Sequence, residues 1–593
     1  MSKKLTTIEK IKLIQNYLIQ NKLDGFIQPR ADSYLGEYVP KYDARLEWIS
    51  GFTGSAGVIL ILRKQAILFV DSRYTIQAKN ETKNTGIKVF LSAQQSLEKY
   101  ILLNAKKFKE IGYDPWLHSY SYIKNILSLS IKYKVNFKPL KANPIDIFWS
   151  NDRNISPNSD INVHPLKYAG ISANKKIKNL CIYLKKLNTE AYIINQPDSL
   201  AWLLNIRGLD IKHTPIILSR AIIFKNGTIY LFIDSSRIDK KIKNHFNNNI
   251  KIYPEKNIIS EIIKISKKKS KILADPDSVS YALIQFIKDK KNTLIETKCP
   301  IEKMKAIKNT IEIKGTFSAH LKDGVALSKF LYWIHKSKIT NNSELLASNT
   351  IDNLRSKQPN FICTSFETIS GFAANGAIVH YRVTKKSNKK FSNNNLFLCD
   401  SGGQYLEGTT DVTRTVAIGK PTKNMKHHFT IVLKGHIALA SAIFPYGTTG
   451  NDLDLLARLP LWKNNMNYGH GTGHGVGSCL SVHEGPHRIS KGSFVPLEPG
   501  MITSNEPGFY LTNKYGIRIE NLMLVKKNKN MLAFETLTLA PIDINLVNYN
   551  LLTKEEINWL NNYHNKVFKN VSSKLDKQNK NWLKKVCAPY LKR

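Results

Sequence analysis

The chain has 593 residues, too many for one hydrophobic core, so two to four domains are expected. Apolar residues at 42% and charged ones at 22% exclude bulk disorder. No apolar run reaches the roughly 18 residues of a membrane span, which excludes a helical membrane protein. The 88 Lys+Arg against 45 Asp+Glu give a formal charge of +43, which raises a nucleic acid or an anionic surface as partner. The excess is spread along the chain together with Asn and Ile, as in KKIKNHFNNN (240–249). It reads as solvated surface, and neither nucleic acid nor membrane is expected as a partner. The opening MSKKLTTIEKIKLIQ has no uninterrupted apolar core and no small-residue cleavage site, so no signal peptide is read there. Six scattered cysteines without a C-x-x-C pair fit free thiols in a reducing compartment. The expected location is cytoplasmic.

In chain order, Ile8, Ile11, Ile14 and Leu18 recur at helical spacing and predict a helix over 7–21. A β-rich segment follows: DGFIQPRADSYL (24–35), WISGFTGSAGVILIL (48–62) and AILFVDSRY (66–74). A weaker copy begins at Glu190, where EAYIINQPDSLAWLLNIRG and IYLFIDSSR set Asp198 against Asp32 and Asp234 against Asp71. Two copies predict two α/β domains of one fold rather than a solenoid. The loop charges Glu37, Asp43, Arg45 and Arg73 lack metal or triad spacing and read as surface and turn residues; the alternative is that one or two rim a neighbouring site. The expected boundaries are 1–147 for the first domain, 148–302 for the second, and 303–593 for a third that ends in a helical extension.

The third domain opens on Asn309 and Glu312, a capping-box pair ahead of an amphipathic stretch. LFLCDSGGQYLEGTTDVTRTVAIG (396–419) predicts a hairpin turning at 401–403, with a strand returning over 409–416. Helices are expected near 422–442, 452–462 and 553–571. Between the last two lies YGHGTGHGVG (468–477), followed by His483, SNEPGFY (504–510) and GIRIEN (516–521).

Asp400, Asp411, His474, Glu506 and Glu520 lie in or beside apolar runs. Buried ionised carboxylates without partners cost several kcal/mol each, as an order of magnitude. Two divalent ions would match the four negative charges, and bridging carboxylates let five side chains serve two metals. Oxygen-rich ligation with a single imidazole favours Mn²⁺ over the Cys/His sets of structural zinc, with Zn²⁺ or Co²⁺ as the alternative ions. Period-two alternation in GIRIEN puts Arg518 on the same side as Glu520, placed to pair with a ligand carboxylate. The glycines at 471, 473, 475 and 477 are expected to let backbone pass close to metals and substrate. Any one of these carboxylates alone would more commonly be a surface group, and a lone His474 a satisfied core histidine. The joint pattern across separated segments is what points to metal.

These motifs, together with HGTGHGVGSCLSVHEGP (470–486), resemble those of aminopeptidase P, the Xaa-Pro aminopeptidases of the pita-bread fold. The resemblance spans essentially the whole chain and fits the larger, cytosolic, three-domain type. It implies two creatinase-type N-terminal α/β domains, a C-terminal pita-bread catalytic domain and a homodimer. It implies the five ligands above, with His380, His470 and His483 as further catalytic residues and Glu506 as ligand and general base. The implied reaction removes the first residue from Xaa-Pro-peptides, by a hydroxide bridging two metal ions. Prolidase, which takes only dipeptides, is the close alternative. A non-catalytic pita-bread binding module is the alternative from another class, and methionine aminopeptidase lacks the extra N-terminal domains.

Overall fold

The structure, a computed structural model, describes residues 5–149, 152–246, 248–266, 270–287, 293–337 and 339–590. It divides into two compact units: one of 1–163, 172–212 and 216–301, the other of 164–171, 213–215 and 302–593.

The N-terminal unit contains the repeat read from the sequence. Its first sheet runs, edge to edge, Ile87–Leu91, Gln65–Val70, Val58–Leu62, Gly25–Pro29, Glu110–Tyr113, Asn136–Pro139. Its second runs Ile250–Tyr253, Ile229–Phe232, Arg220–Phe224, Ala191–Ile194, Lys271–Ala274, Thr293–Glu296. Each has two antiparallel pairings in the middle and parallel pairings outside them. Identical order and direction in both sheets make the two domains copies of one fold. The opening helix Thr7–Gln20 starts at a Thr6–Glu9 capping box and buries Ile11, Ile14 and Leu18, while Ile8 is exposed. Of the repeated aspartates, Asp198 lies in the first turn of helix Pro197–Leu204, while Asp71 and Asp234 sit at turns. Asp71 accepts from the amide and guanidinium of Arg73, and Asp234 from the amide of Ser236. Arg45 pairs with Asp43 and Asp146.

In the C-terminal unit, helix Thr310–Lys336 begins at the Asn309–Glu312 capping box. Helices Lys423–Ala440 and Gly450–Trp462 start at Thr422 and Thr449, and helix Lys554–Val571 at Thr553. Phe429, Val432, Leu433 and Ile437 of the first of these share one core with Ile517, Ile519, Ile557, Leu560 and Val567. That core backs the GIRIEN segment and fixes which way its polar side chains face.

The predicted hairpin at 401–403 needs correction. Strand Asn395–Ser401 does pair with Val412–Ile418, setting Asp400 opposite Thr413 and Ser401 opposite Val412. Between them the chain leaves this sheet and forms a small hairpin, Gly403–Tyr405 with Gly408–Thr409, on the edge of Phe361–Thr364. Gly403 and Thr410 close the base of the excursion, each amide donating to the other residue. A Cβ at Gly402 would meet Thr410 O at 2.0 Å, so the crossing of the two chain paths requires glycine there. The excursion brings Asp411 back beside Asp400.

Candidate metal centre

Five segments of the C-terminal unit converge on one buried acidic cluster. Asp400 lies near the end of its strand, and Asp411 directly precedes the strand Val412–Ile418. His474 is the middle residue of the short strand Gly473–Gly475. Glu506 follows Ile502–Asn505, and Glu520 sits between Tyr515–Arg518 and Asn521–Asn528. Ligand atoms of Asp400, Asp411 and Glu520 lie within 4.8 Å of one another, as do those of His474, Glu506 and Glu520, and those of Asp411, His474 and His483. The three overlapping groups join all five residues and add His483, whose ring meets that of His474 edge-on with centroids 4.3 Å apart.

The donor chemistry fits cations. His474 Nδ1 lies 2.9 Å from Gly475 O, so it carries the proton and donates. The other ring nitrogen, Nε2, faces Asp411 Oδ2 and Glu506 Oε1 at 3.5 Å each. Two carboxylates against this nitrogen call for a proton on it or a cation among the three, and in the second case Nε2 is a metal donor. Buried Oδ1 atoms of Asp400 and Asp411 have no hydrogen-bond partner. Burial, reinforced by Asp400, pushes the Asp411 carboxyl well above the ordinary range. Burial also raises Glu506, opposed by His474 and Arg518, and raises Glu520 strongly together with Asp411 and Glu506. Such mutual repulsion is what divalent ions would remove.

Around the cluster, the Arg518 guanidinium donates from Nη2 to Asp400 Oδ2 at 2.7 Å and from Nε to Thr413 Oγ1 at 3.0 Å. Thr413 Oγ1 donates in turn to Glu520 Oε2 at 2.7 Å. Arg518 Nη1 donates to the Tyr510 hydroxyl at 2.7 Å. His470 Nδ1 faces Gly471 O at 2.8 Å and must donate there, so Nε2 accepts from Tyr510 Oη at 2.8 Å. His470 is therefore tied to the cluster through Tyr510 and Arg518. His380 follows Val379, whose carbonyl accepts from Arg518 Nη2 at 3.4 Å.

Sequence reasoning missed Tyr510 and Thr413, which carry neither charge nor imidazole and only acquire a role through contacts with distant segments. The glycines have a packing role that sequence reasoning did not foresee. A Cβ on Gly473 would lie 2.0 Å from Ser504 O, and one on Gly475 2.2 Å from Glu484 O. These two glycines admit neighbouring backbone. A cavity of about 850 Å³ opens separately in the N-terminal unit, lined among others by Tyr42, Asp43, Arg45 and Arg153. Its arginines are committed to carboxylates, Arg45 and Arg153 both pairing with Asp43 and Asp146. The chemistry lies in the acidic cluster.

Residues 317–527, which hold the whole cluster, match the model of metallopeptidase family M24. The chain is 37% identical to a probable Xaa-Pro aminopeptidase P of Talaromyces marneffei, over 98% of this chain and 92% of that protein. The chain belongs to metallopeptidase family M24. Residues 10–142 and 152–312 match creatinase/prolidase N-terminal domains, and 530–590 the C-terminal region of the peptidase family. The X-prolyl aminopeptidase of Caenorhabditis elegans, described as a cytosolic enzyme with a di-nuclear active site, superposes with a TM-score of 0.93. It is 34% identical and covers 99% of this chain and 100% of its own. A prolidase from Thermococcus sibiricus, 26% identical with a TM-score of 0.52, covers 63% of this chain and 98% of its own. Along the sequence, two creatinase-type domains are thus followed by a pita-bread metallopeptidase domain, and the chain is a metallopeptidase.

Proposed function

We propose that this chain is a metal-dependent aminopeptidase that removes the first residue from peptides with proline in second position. The observation that carries this reading is the end-to-end similarity to Xaa-Pro aminopeptidases, which includes both N-terminal domains, together with a complete five-donor cluster. Asp400, Asp411, His474, Glu506 and Glu520 would hold two divalent ions, Mn²⁺ being the proposed pair and Zn²⁺ or Co²⁺ the alternatives. Such ions supply an activated water and polarise the scissile carbonyl.

The remaining chemistry falls to the chain. Glu506 accepts the proton of the attacking water. His483, packed against His474, and His380 donate toward the developing oxyanion and the departing proline nitrogen. His470, held by Tyr510, lines the proline side. Arg518 fixes Asp400, so that the carboxylate keeps its orientation through turnover. We take residues 1–147 and 148–302 as the two N-terminal domains and 303–593 as the catalytic one. A cytoplasmic homodimer is the proposed working form, and the charge of +43 is taken as solvated surface. No helix among the described residues is long and apolar enough to cross a membrane.

The test compares hydrolysis of a proline-second tripeptide with that of an Xaa-Pro dipeptide, with and without added Mn²⁺. Turnover of the tripeptide, stimulated by metal, is expected. Turnover of the dipeptide alone would make the chain a prolidase. Salt-dependent nucleic-acid binding without bound metal or turnover would make it a binding module.

A further inference from the structure

His380 sits on a stretch without helix or strand, between the short 3-10 turn Ala373–Ala377 and the strand Asn395–Ser401. Local hydrogen bonding fixes only part of its path: the amides of Ile378 and Tyr381 return to Asn375 O and Ile378 O. What gathers the rest is one carboxylate on a different element. Glu344 is the first residue of helix Glu344–Ser356 and is fully buried. Its side chain accepts from the amides of Phe372 at 2.7 Å and Lys389 at 2.9 Å, and from Asn375 Nδ2 at 3.0 and 3.1 Å. It also accepts from the hydroxyl of Tyr381, at 2.9 Å. The backbone adds to this: Ser370 Oγ donates to Glu344 O, and the Glu344 amide to Lys389 O.

These donors come from both sides of His380, and one belongs to the residue directly after it. The residue directly before it, Val379, is held through its carbonyl by Arg518, which also holds Asp400. His380 is therefore clamped between an anchor on the acidic cluster and an anchor on Glu344. A carboxylate suits the second anchor because it is acceptor-only and can take several donors at once. A glutamine there would turn an amide N–H toward donors.

We propose that Glu344 is a positioning residue for peptide hydrolysis, setting His380 against the metal cluster through Tyr381 and the 372–389 segment. This rests on the role given to His380 above. Because all five proposed ligands lie on other segments, loss of the Glu344 anchor is expected to spare metal binding and slow the chemical step.

The experiment uses the full manganese-loaded chain and a proline-second tripeptide, with Glu344→Gln, Tyr381→Phe and His380→Ala singly and in pairs. Glu344→Gln is expected to lower kcat about tenfold or more with KM changed less than about threefold, since small misplacements of reacting groups are costly. Tyr381→Phe, which removes one hydroxyl, is expected to lower kcat several-fold, again with metal content unchanged. In the His380→Ala background each substitution is expected to cost less than about twofold, because their effect is routed through the missing imidazole. Equal losses in both backgrounds would overturn the proposal, as would full kcat in a folded, metal-loaded Glu344→Gln. Should Glu344→Gln not fold, Tyr381→Phe decides alone by the same two criteria. Full activity of His380→Ala would instead remove the role given to His380, and so separates failure of that reading from failure of this one.

Discussion

Arg518 donates to Asp400 across 2.7 Å, with the guanidinium 1% and the aspartate 8% exposed. Burial favours deprotonation of the guanidinium, but Tyr510, Asp400, Glu506 and Glu520 around it drive its pKa well above the ordinary value. The contact leaves Asp400 Oδ1 free of hydrogen bonds and fixes the direction in which it points. Arg518 also reaches Tyr510 and Thr413, so one side chain sets the orientation of an acidic residue and two polar ones.

Replacing this fork tests its orienting role. Arg518→Lys keeps a charge but cannot donate to Asp400, Tyr510 and Thr413 together. Metal affinity or kcat is expected to fall about 10- to 100-fold, the usual cost of losing a partner that orients a metal ligand. Metal titration followed by steady-state kinetics measures both, and parental values for each would refute the assignment.

Metal removal bears on the cluster as a whole. Asp411, Glu506 and Glu520 repel one another in a buried site, so divalent ions are expected to stabilise the folded chain by binding it and not the unfolded one. Dialysis against a chelator is expected to abolish tripeptide cleavage and lower the melting temperature, and Mn²⁺ to restore both. Glu506→Ala is expected to lose cleavage and to weaken metal retention. Activity that survives chelation would contradict the proposed chemistry.

In the N-terminal unit, Asp32 gives a pH dependence. Burial, reinforced by Asp43 and opposed by the amides of Gly36 and Tyr34, pushes its carboxyl up to about 6. A carboxyl raised on folding holds its proton more tightly in the folded chain. Its stabilising contribution is complete below its unfolded value of about 3.9 and is lost as pH rises to about 6. Asp32→Asn does not titrate, so wild-type stability relative to that variant is expected to fall by roughly 2 kcal/mol between about pH 4 and pH 7, at ~1.4 kcal/mol per unit of pKa difference. Denaturant titrations of both proteins across this range check it, and a pH-independent difference would exclude it.

Close backbone approach at the histidine strand predicts a steric outcome. Gly473→Ala would set a Cβ 2.0 Å from Ser504 O, a fixed backbone atom. The expected cost is about 3 kcal/mol or more, at the upper end of overpacking. At Gly36 the nearest atom would be 3.5 Å away, so Gly36→Ala is expected to be far milder. Thermal unfolding of the two variants compares them directly, and similar melting temperatures would argue against the close approach.

Periodicity, caps and motif spacing determined much of this chain in advance. The opening helix, the Asn309–Glu312 cap and the alternation that sends Arg518 and Glu520 one way are local. They follow from backbone geometry over a few residues, and so are legible without a fold. The repeat was legible because both domains had to place apolar strands and aspartates at matching intervals. The five candidate ligands stood out because carboxylates are costly inside apolar runs. Only the tertiary structure decided which distant groups meet. It moved the 401–403 turn into a second sheet, because Gly402 must cross the 410 region without a side chain. It assigned the glycines around His474 to backbone packing. It also gave Tyr510, Thr413 and Glu344 their contacts, which join residues up to 107 positions apart in the case of Thr413 and Glu520. Such pairings are set by long-range packing, and neither spacing nor residue type along the chain encodes them.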